Sequence, residues 1–339
     1  MYIGIAPLRI SFAGGGTDQP EFYEKFGGNV ICTTINRFTY VTIHKRFDKS
    51  FQTFSPDFQK HYKPTEFKKI EIEDGSEIAA SIVKFLKFKV GVDIVLQSDV
   101  PAGSGLGASS SLAINLVNTL NYLQGKNWSK TKIAEMCFGI ERNVLKWPMG
   151  KQDEYITSFG GFKNIEFKKN KVNIKPVTIS KKLSLELQNN LLLFFVGQTR
   201  DSAKLLSSQL KRVKNENKKT IKSLQVVKSL ALELNDTLQK SDLTRFGELL
   251  HKGWIAKKEF TIGITNKRID KIYESALKFG ASGGKLTGAG GGGHLLLYCE
   301  KSRQKKLIDK MKKMSLTHVD FKFYNEGPKI LDLYKELNK

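Results

Sequence analysis

The sequence predicts a two-domain α+β protein, and three observations indicate this fold class. The 339 residues exceed the roughly 100–200 that a single domain usually spans. Short runs of alternating apolar residues, typical of strands, dominate the first hundred residues, whereas a buried-strand run and long charged helical stretches follow residue 190. No long Gly/Ser/Pro-rich linker separates the two parts, so we expect two domains, residues 1–185 and 186–339, that pack against each other.

Periodicity places the main elements within each part. Leucines that recur from Leu112 at helical spacing predict a helix that ends at Gly125, and a second helix is expected from the N-cap Ser129 to a point before Pro148. Residues 149–154 read as a polar loop. Strands are predicted at residues 3–5, 8–12, 29–34, 38–44, 92–100, 191–196 and 294–298, and further helices at 201–239, 242–258 and 266–279.

Composition excludes fibrous and disordered classes and leaves the meaning of the charge open. The chain is 40% hydrophobic and 26% charged, as in ordinary globular proteins. Its formal charge of +23 would attract phosphate in nucleic acids, membrane surfaces or metabolites. Lysine supplies most of the excess, whereas base and bidentate phosphate recognition favours arginine. We therefore expect no nucleic-acid partner, with a lysine-rich nucleic-acid-binding protein as the non-enzyme alternative.

The N-terminus and the cysteines indicate a cytoplasmic protein. The first residues lack the basic stretch and long apolar core of a leader peptide, and no later run reaches the roughly 18 apolar residues of a membrane span. Three cysteines are scattered singly and suit neither a metal site nor a disulfide framework. We expect buried thiols and no membrane partner, in a monomer or a homodimer.

A glycine-rich turn between a predicted strand and a predicted helix points to phosphate binding. Backbone N–H groups and the helix dipole converge there, and Gly103, Gly105 and Gly107 leave the approach open. The turn fits neither the Walker pattern nor the Rossmann GxGxxG spacing. One such turn alone would more often serve chain reversal, so other motifs have to decide its meaning.

Two further glycine-rich segments supply that context: residues 6–18, APLRISFAGGGTD, and residues 285–294, KLTGAGGGGH. The three motifs, in this order, resemble those of the GHMP kinase superfamily. The resemblance covers nearly the whole chain. It implies an N-terminal domain like domain 2 of ribosomal protein S5 and a ferredoxin-like C-terminal domain. ATP and an acceptor would bind in the cleft between them, with Mg²⁺.

The resemblance assigns roles to individual residues. Asp153 corresponds to the catalytic general base, with Glu154 as a competitor because the spacing from Glu141 differs by one residue, and Arg9 or Lys151 would neutralise charge on the transferred group. Ser109 and Glu141 correspond to the Mg²⁺ ligands. The residues implied in ATP binding are Pro101, Ala102, Gly103, Ser104, Gly105, Leu106, Gly107, Ala108, Ser109 and Ser110. From the residues alone, Glu141 is either a half-buried acid beside the apolar stripe of its helix or a surface partner of Arg142 or Lys146.

The first motif indicates the acceptor. Its Ala-Gly-Gly-Gly-Thr-Asp form is most similar to that of the superfamily's kinases for D-glycero-D-manno-heptose 7-phosphate, which phosphorylate the anomeric hydroxyl on the way to nucleotide-activated heptose. An acceptor that already carries phosphate needs a cationic pocket, for which we expect Arg200. Alternatives are an L-fucose 1-kinase or a mevalonate-type kinase. The expected substrate-binding residues are Arg9, Gly14, Gly15, Gly16, Thr17, Asp18, Arg200, Gly290 and Gly291.

Overall fold

The computed structural model describes residues 1–56, 60–73, 76–197 and 202–337. Its strands are β1 Tyr2–Ala13, β2 Gly28–Lys45, β3 Ser50–Ser55, β4 Lys60–Glu66, β5 Val92–Ser98, β6 Lys163–Lys168, β7 Lys171–Pro176, β8 Leu191–Phe195, β9 Ala281–Leu286, β10 His294–Cys299, β11 Thr317–His318, β12 Phe323–Tyr324 and β13 Lys329–Asp332. Its α-helices are α1 Pro20–Phe26, α2 Glu77–Phe85, α3 Ala108–Leu123, α4 Lys130–Gly139, α5 Gln152–Phe159, α6 Lys181–Asn189, α7 Ser202–Lys214, α8 Lys218–Gln239, α9 Leu243–Lys258, α10 Lys267–Lys278, α11 Lys301–Lys313 and α12 Leu333–Glu336.

Two sheets organise the molecule and confirm the α+β class. The first has the strand order β13-β1-β2-β5-β3-β4, with β12 and β6 also paired to β2, and β7 paired to β6. The second is antiparallel, with the order β11-β8-β10-β9, and helices of the second half pack on it. Within the described ranges, no helix is long and apolar enough to cross a membrane.

The two predicted strands at residues 29–34 and 38–44 are one strand, β2. Residues 36 and 37 bulge between them, because Pro7 pairs with Phe38 while Leu8 pairs with Ile35. The bulge shifts the register and leaves the chain extended, so both runs stay in the same ladder. β2 therefore spans the whole first sheet beside β1.

A common core joins the two halves, as expected from the missing linker. Leu8 and Phe12 of β1 pack with Leu234 of α8 and Phe246 of α9, and the rings of Phe12 and Phe246 lie 5.4 Å apart. The chain after Val319 also returns to the first sheet, where β12 and β13 pair with β2 and β1. The last two strands of the proposed second domain thus complete the sheet of the first. All three cysteines are buried and free, as predicted.

Helix α3 is fixed against β1 and β2 by buried polar contacts. The side-chain amide of Asn115 donates to the carbonyl oxygens of Gly4, at 3.0 Å, and Thr39, at 2.9 Å. A Cβ on Gly4 would lie 2.1 Å from the Asn115 Oδ1, so glycine is required there. These contacts set the height of α3 on the sheet, and with it the turn at the helix N-terminus.

Candidate active site

The predicted glycine-rich turn joins β5 to α3 at the mouth of a cleft. Gly107 has φ +79° and ψ 26°, a left-handed conformation that glycine adopts without strain, and α3 begins at the next residue. The N-cap residue Gly107 has no side chain that could cap this helix, so within the described residues its first N–H groups are open to a ligand. The turn is tied to β1 by the Arg9 N–H, which donates to the Leu106 carbonyl at 3.0 Å.

Arg9 connects the turn to Asp153. Its Nε and Nη2 donate to the two carboxylate oxygens of Asp153 at 2.7 and 2.5 Å, and its Nη1 donates to the Gly105 carbonyl at 2.6 Å. A bidentate pair of this kind fixes the position and orientation of the carboxylate. A side chain on Gly107 would crowd this pair, since its Cβ would lie 3.2 Å from the Arg9 side chain. Arg9, which the sequence analysis expects to neutralise charge on the transferred group, thus also holds Asp153.

The expected loop at residues 149–154 is wrong in its second half, because α5 begins at Gln152. The Asp18 carboxylate accepts a hydrogen bond from the Gln152 N–H at 3.1 Å. The backbone carbonyl of Asp18 accepts one from the Lys151 N–H, also at 3.1 Å. Asp18, a residue of the first motif, thus provides hydrogen-bond acceptors for the N–H groups at the start of this helix. Asp153 therefore stands in the first turn of a helix with a fixed orientation. Burial raises the pKa of Asp18.

Glu141 and Glu154 form a buried acidic pair behind the turn. Glu141 lies in a π-helical turn, residues 140–144, and is 1% exposed, so both expectations for it, half-buried or on the surface, are wrong. Ser110 donates to Glu154 at 3.0 Å, whereas neither Glu141 oxygen has a hydrogen-bond partner in the described chain. Burial raises the pKa of Glu141 to about 7 and raises that of Glu154 as well. Glu154 therefore belongs with Glu141 and does not approach Arg9 as Asp153 does.

The residues of the first motif divide into two roles. Thr17 donates to the Gly14 carbonyl at 2.7 Å, and a Cβ on Gly14 would clash with the Asn29 carbonyl. Gly14 and Thr17 therefore determine the backbone conformation of the motif. Gly15, Gly16 and Asp18 instead line the cleft.

The third glycine motif packs against the glycine-rich turn between β5 and α3. A Cβ on Gly288 would lie 2.5 Å from the Gly105 Cα, and His294 contacts the Ser104 carbonyl at 2.8 Å. Much of the glycine here serves close backbone approach between the two halves. Gly288 faces the cleft, whereas Gly290 and Gly291 lie against Ile264, to whose carbonyl the Gly291 N–H donates at 2.8 Å.

Two cavities meet at Arg9 and Asp153. We call the larger the donor cavity; it measures about 270 Å³ and opens along the glycine-rich turn and the start of α3. We call the other the acceptor cavity; it measures about 90 Å³ and lies between the first motif, α5 and α9. A further apolar cavity of about 220 Å³, lined by Ile78, Leu96 and Trp147, adjoins the donor side. The arrangement offers space for two ligands end to end, with the Asp153 carboxylate at their junction.

The predicted phosphate-binding residues do not all face these cavities. Gly103, Ser104, Gly105, Gly107, Ala108, Ser109 and Ser110 line the donor cavity. Ala102 lines the adjoining apolar one. Leu106 is buried in the core, and Pro101 is exposed. Ser109 is exposed toward the donor side, whereas Ser110 holds Glu154.

Arg9 lies in the cleft as expected, but the other cations there differ from those predicted. The Lys151 ammonium is held by both oxygens of Glu135 at 2.8 Å. Arg200 lies outside the described residues. Lys257 and Lys285, which the sequence analysis missed, are buried and line the acceptor cavity. A signal existed for Lys257, since it follows Leu250 and Trp254 on the apolar face of α9.

Comparisons with known proteins agree with this arrangement. The chain matches the GHMP kinases N terminal domain over residues 77–161 and the GHMP kinases C terminal model over residues 234–315. It is 32% identical to D-glycero-alpha-D-manno-heptose 7-phosphate kinase of Campylobacter jejuni, over 95% of this chain and 96% of that protein. It is 27% identical to L-fucokinase/L-fucose-1-P guanylyltransferase of Bacteroides fragilis, over 87% of this chain and 34% of that protein.

Among solved structures, the fold is similar to a D-glycero-D-manno-heptose 1-phosphate kinase from Bacteroides thetaiotaomicron. The TM-score is 0.81 at 23% identity, with 98% of this chain and 99% of that chain covered. At this identity the likeness bears on the fold. The common fold extends through both halves of the chain, including its C-terminal segment.

Proposed function

Since the chain belongs to the GHMP kinase family, we propose that it transfers the γ-phosphoryl group of ATP to the anomeric hydroxyl of D-glycero-D-manno-heptose 7-phosphate. The product would be the 1,7-bisphosphate, a precursor of nucleotide-activated heptose. The observation that carries this proposal is the meeting of the donor and acceptor cavities at the Arg9–Asp153 pair. Phosphoryl transfer requires the two substrates in line and in contact, with a residue at their junction that orients the nucleophile.

Asp153 acts as the general base. Its carboxylate takes the proton of the acceptor hydroxyl while that oxygen attacks the γ-phosphorus. The new O–P bond forms as the bond from phosphorus to the bridging oxygen breaks, and ADP leaves with the electron pair. Arg9 holds the carboxylate in place. Positioning of this kind supplies much of the rate enhancement in phosphoryl transfer.

The donor side supplies charge stabilisation. The free N–H groups at the start of α3 face the phosphates of ATP, where the helix dipole also favours negative charge. Mg²⁺ would neutralise phosphate charge there. Glu141 and Ser109 are the proposed residues to hold it, and the two unpartnered Glu141 oxygens, buried beside a second carboxyl, fit a cation. Lys151 could assist only after release from Glu135, so its role stays a prediction.

The choice of heptose 7-phosphate rests on the full-length relative in C. jejuni and on the first motif. Gly15, Gly16 and Asp18 line the acceptor cavity, as a sugar site in this motif requires. An L-fucose kinase remains the second candidate, because the B. fragilis relative covers most of this chain. The Arg200 phosphate clamp stays a prediction for Arg200→Ala to test.

A panel of acceptors tests the proposal. ATP consumption is measured with free and 7-phosphorylated heptose, L-fucose, galactose and mevalonate, and the product is checked for a 1-phosphate. We expect heptose 7-phosphate to give the highest kcat/KM. Asp153→Asn should lower kcat by about 10²- to 10⁴-fold, because it removes the base and leaves the shape. Full turnover by this variant, or a preference for L-fucose, would contradict the respective assignment.

A further inference from the structure

Among the described residues, two lysines inside the acceptor cavity have no acidic partner. Lys257 and Lys285 are each 7% exposed. Within the described chain their ammonium groups donate to backbone carbonyl oxygens: Lys257 to Leu286 at 3.0 Å and to Gly288, and Lys285 to Phe12 at 3.2 Å. Buried cations are normally paired with anions, because a carbonyl dipole does not neutralise a charge.

The surroundings increase the need for an anion. Lys257, Lys285 and Arg9 repel one another, and burial together with the Arg9 charge lowers the pKa of Lys285 to about 7. Burial and the same repulsion lower the pKa of Lys257. The two acids of the cavity are already engaged, since Asp153 is paired with Arg9 and Asp18 accepts hydrogen bonds from the Gly16 and Gln152 N–H groups. Neither acid therefore compensates the lysines.

The position of the lysines identifies which substrate would bring the anion. Both line the acceptor cavity, and neither is among the described residues that line the donor cavity. They come from α9 and β9 of the second half, whereas Asp153 comes from α5 of the first. A ligand that fills this cavity therefore meets the base from the first half and the two ammonium groups from the second.

We propose that Lys257 and Lys285 form an anion-binding subsite that receives the phosphate group already carried by the acceptor. This inference rests on the proposed function and specifies its substrate class as phosphorylated sugars. Binding of the phosphate supplies the anion that stabilises both lysines in their charged form, while the free sugar supplies none. The lysines therefore select the phosphorylated acceptor.

Kinetics of two variants with a matched control test the subsite. Lys257→Met and Lys285→Met should each raise KM for heptose 7-phosphate about 10- to 100-fold, the value of a hydrogen bond to a charged group, with KM for ATP unchanged. Free heptose should lose no kcat/KM. Lys258→Met is the control, because Lys258 is the neighbouring lysine, partly exposed, with Asp270 at 3.4 Å. A fall in kcat at constant KM, or an equal loss for both sugars, would overturn the proposal.

A binding measurement separates this subsite from the identity of the sugar. With the donor side saturated by a non-hydrolysable Mg·ATP analogue, inorganic phosphate should raise the melting temperature of the unaltered protein and of Lys258→Met. It should leave Lys257→Met and Lys285→Met unshifted. An equal shift in all four proteins, or none in any, refutes the subsite. If phosphate binds as expected but heptose 7-phosphate is not consumed, the proposed substrate is wrong and the anion subsite stands.

Discussion

At the scale of single residues, the buried acids differ in how the protein uses them. Asp153 is paired with Arg9, whereas Glu141 has no compensating cation in the described chain. Burial disfavours the charged form of a carboxyl, and the nearby Asp153 charge adds to this effect, which is why the pKa of Glu141 reaches about 7. Glu141 therefore changes charge within the pH range in which the protein would act.

Titration of Glu141 predicts how Mg²⁺ use depends on pH. The ionised form binds the metal, so the KM for Mg²⁺ at fixed ATP should fall as pH rises from 6 to 8, and Glu141→Gln should raise this KM and flatten its pH profile. The folded pKa lies above the unfolded one, so the protonated form favours folding, and this stability is lost as pH rises through about 7. Without metal at pH 8, Glu141→Gln should therefore raise the melting temperature.

The control for this prediction is Glu186→Gln, which changes an exposed glutamate. It should alter neither the KM for Mg²⁺ nor its pH dependence. If Glu141→Gln left the metal requirement unchanged, Glu141 would have to be removed from the proposed metal site.

At the scale of elements, α5 shows why part of the site escaped prediction. Its first N–H groups are satisfied by Asp18, more than 130 positions away along the chain, and a sequence window cannot include such a partner. The glycine-rich turn, by contrast, was predicted because its strand, glycines and helix are contiguous. The depth of Glu141 and the inward aim of Lys257 also depend on which distant residues cover them. Local signals therefore located the motifs and left their contacts open.

The contact between Asp18 and α5 gives a prediction for Gly150. A Cβ at Gly150 would lie 2.1 Å from the Asp18 Oδ2, so Gly150→Ala should displace the carboxylate that starts α5. We expect a loss of about 1–3 kcal/mol in the free energy of unfolding and a higher KM for the acceptor. Chemical denaturation and steady-state kinetics measure these effects.

Gly139→Ala serves as the comparison, since a Cβ there meets nothing within 4 Å and its backbone is helical. This substitution should be neutral or should stabilise by up to about 1 kcal/mol. Equal behaviour of the two variants would show that Asp18 does not depend on the space at Gly150.

At the scale of the whole molecule, the two halves meet where the glycine motifs touch. Gly288 of the third motif lies against Gly105 of the glycine-rich turn, and it lines both cavities. Gly288→Ala should therefore force the two motifs apart and weaken the binding of both ATP and the acceptor. We expect both KM values to rise and kcat to fall about 10²-fold, as for a misplacement of about 1 Å between reacting groups.

Gly125→Ala separates this contact from backbone strain. Gly125 has φ +65°, close to the +62° of Gly288, but a Cβ there meets nothing within 4 Å. Gly125→Ala should lower the free energy of unfolding through a similar backbone strain, and it should leave the KM values for ATP and for the acceptor unchanged. Were Gly288→Ala to do the same, the packing of the two motifs would not govern substrate binding.

Because the chain returns to its first sheet near the C-terminus, this sheet can be completed only late in synthesis. Tyr2 pairs with Asp332 on one side and with Ile43 on the other, and Thr34, which pairs with Arg9, also pairs with Tyr324. While the ribosome is still making the second half, β1 has an open edge, and such edges invite wrong pairing. The strand pair that carries Arg9 is completed by residues translated near the end, so a nascent chain lacks a finished catalytic sheet until the second half has emerged.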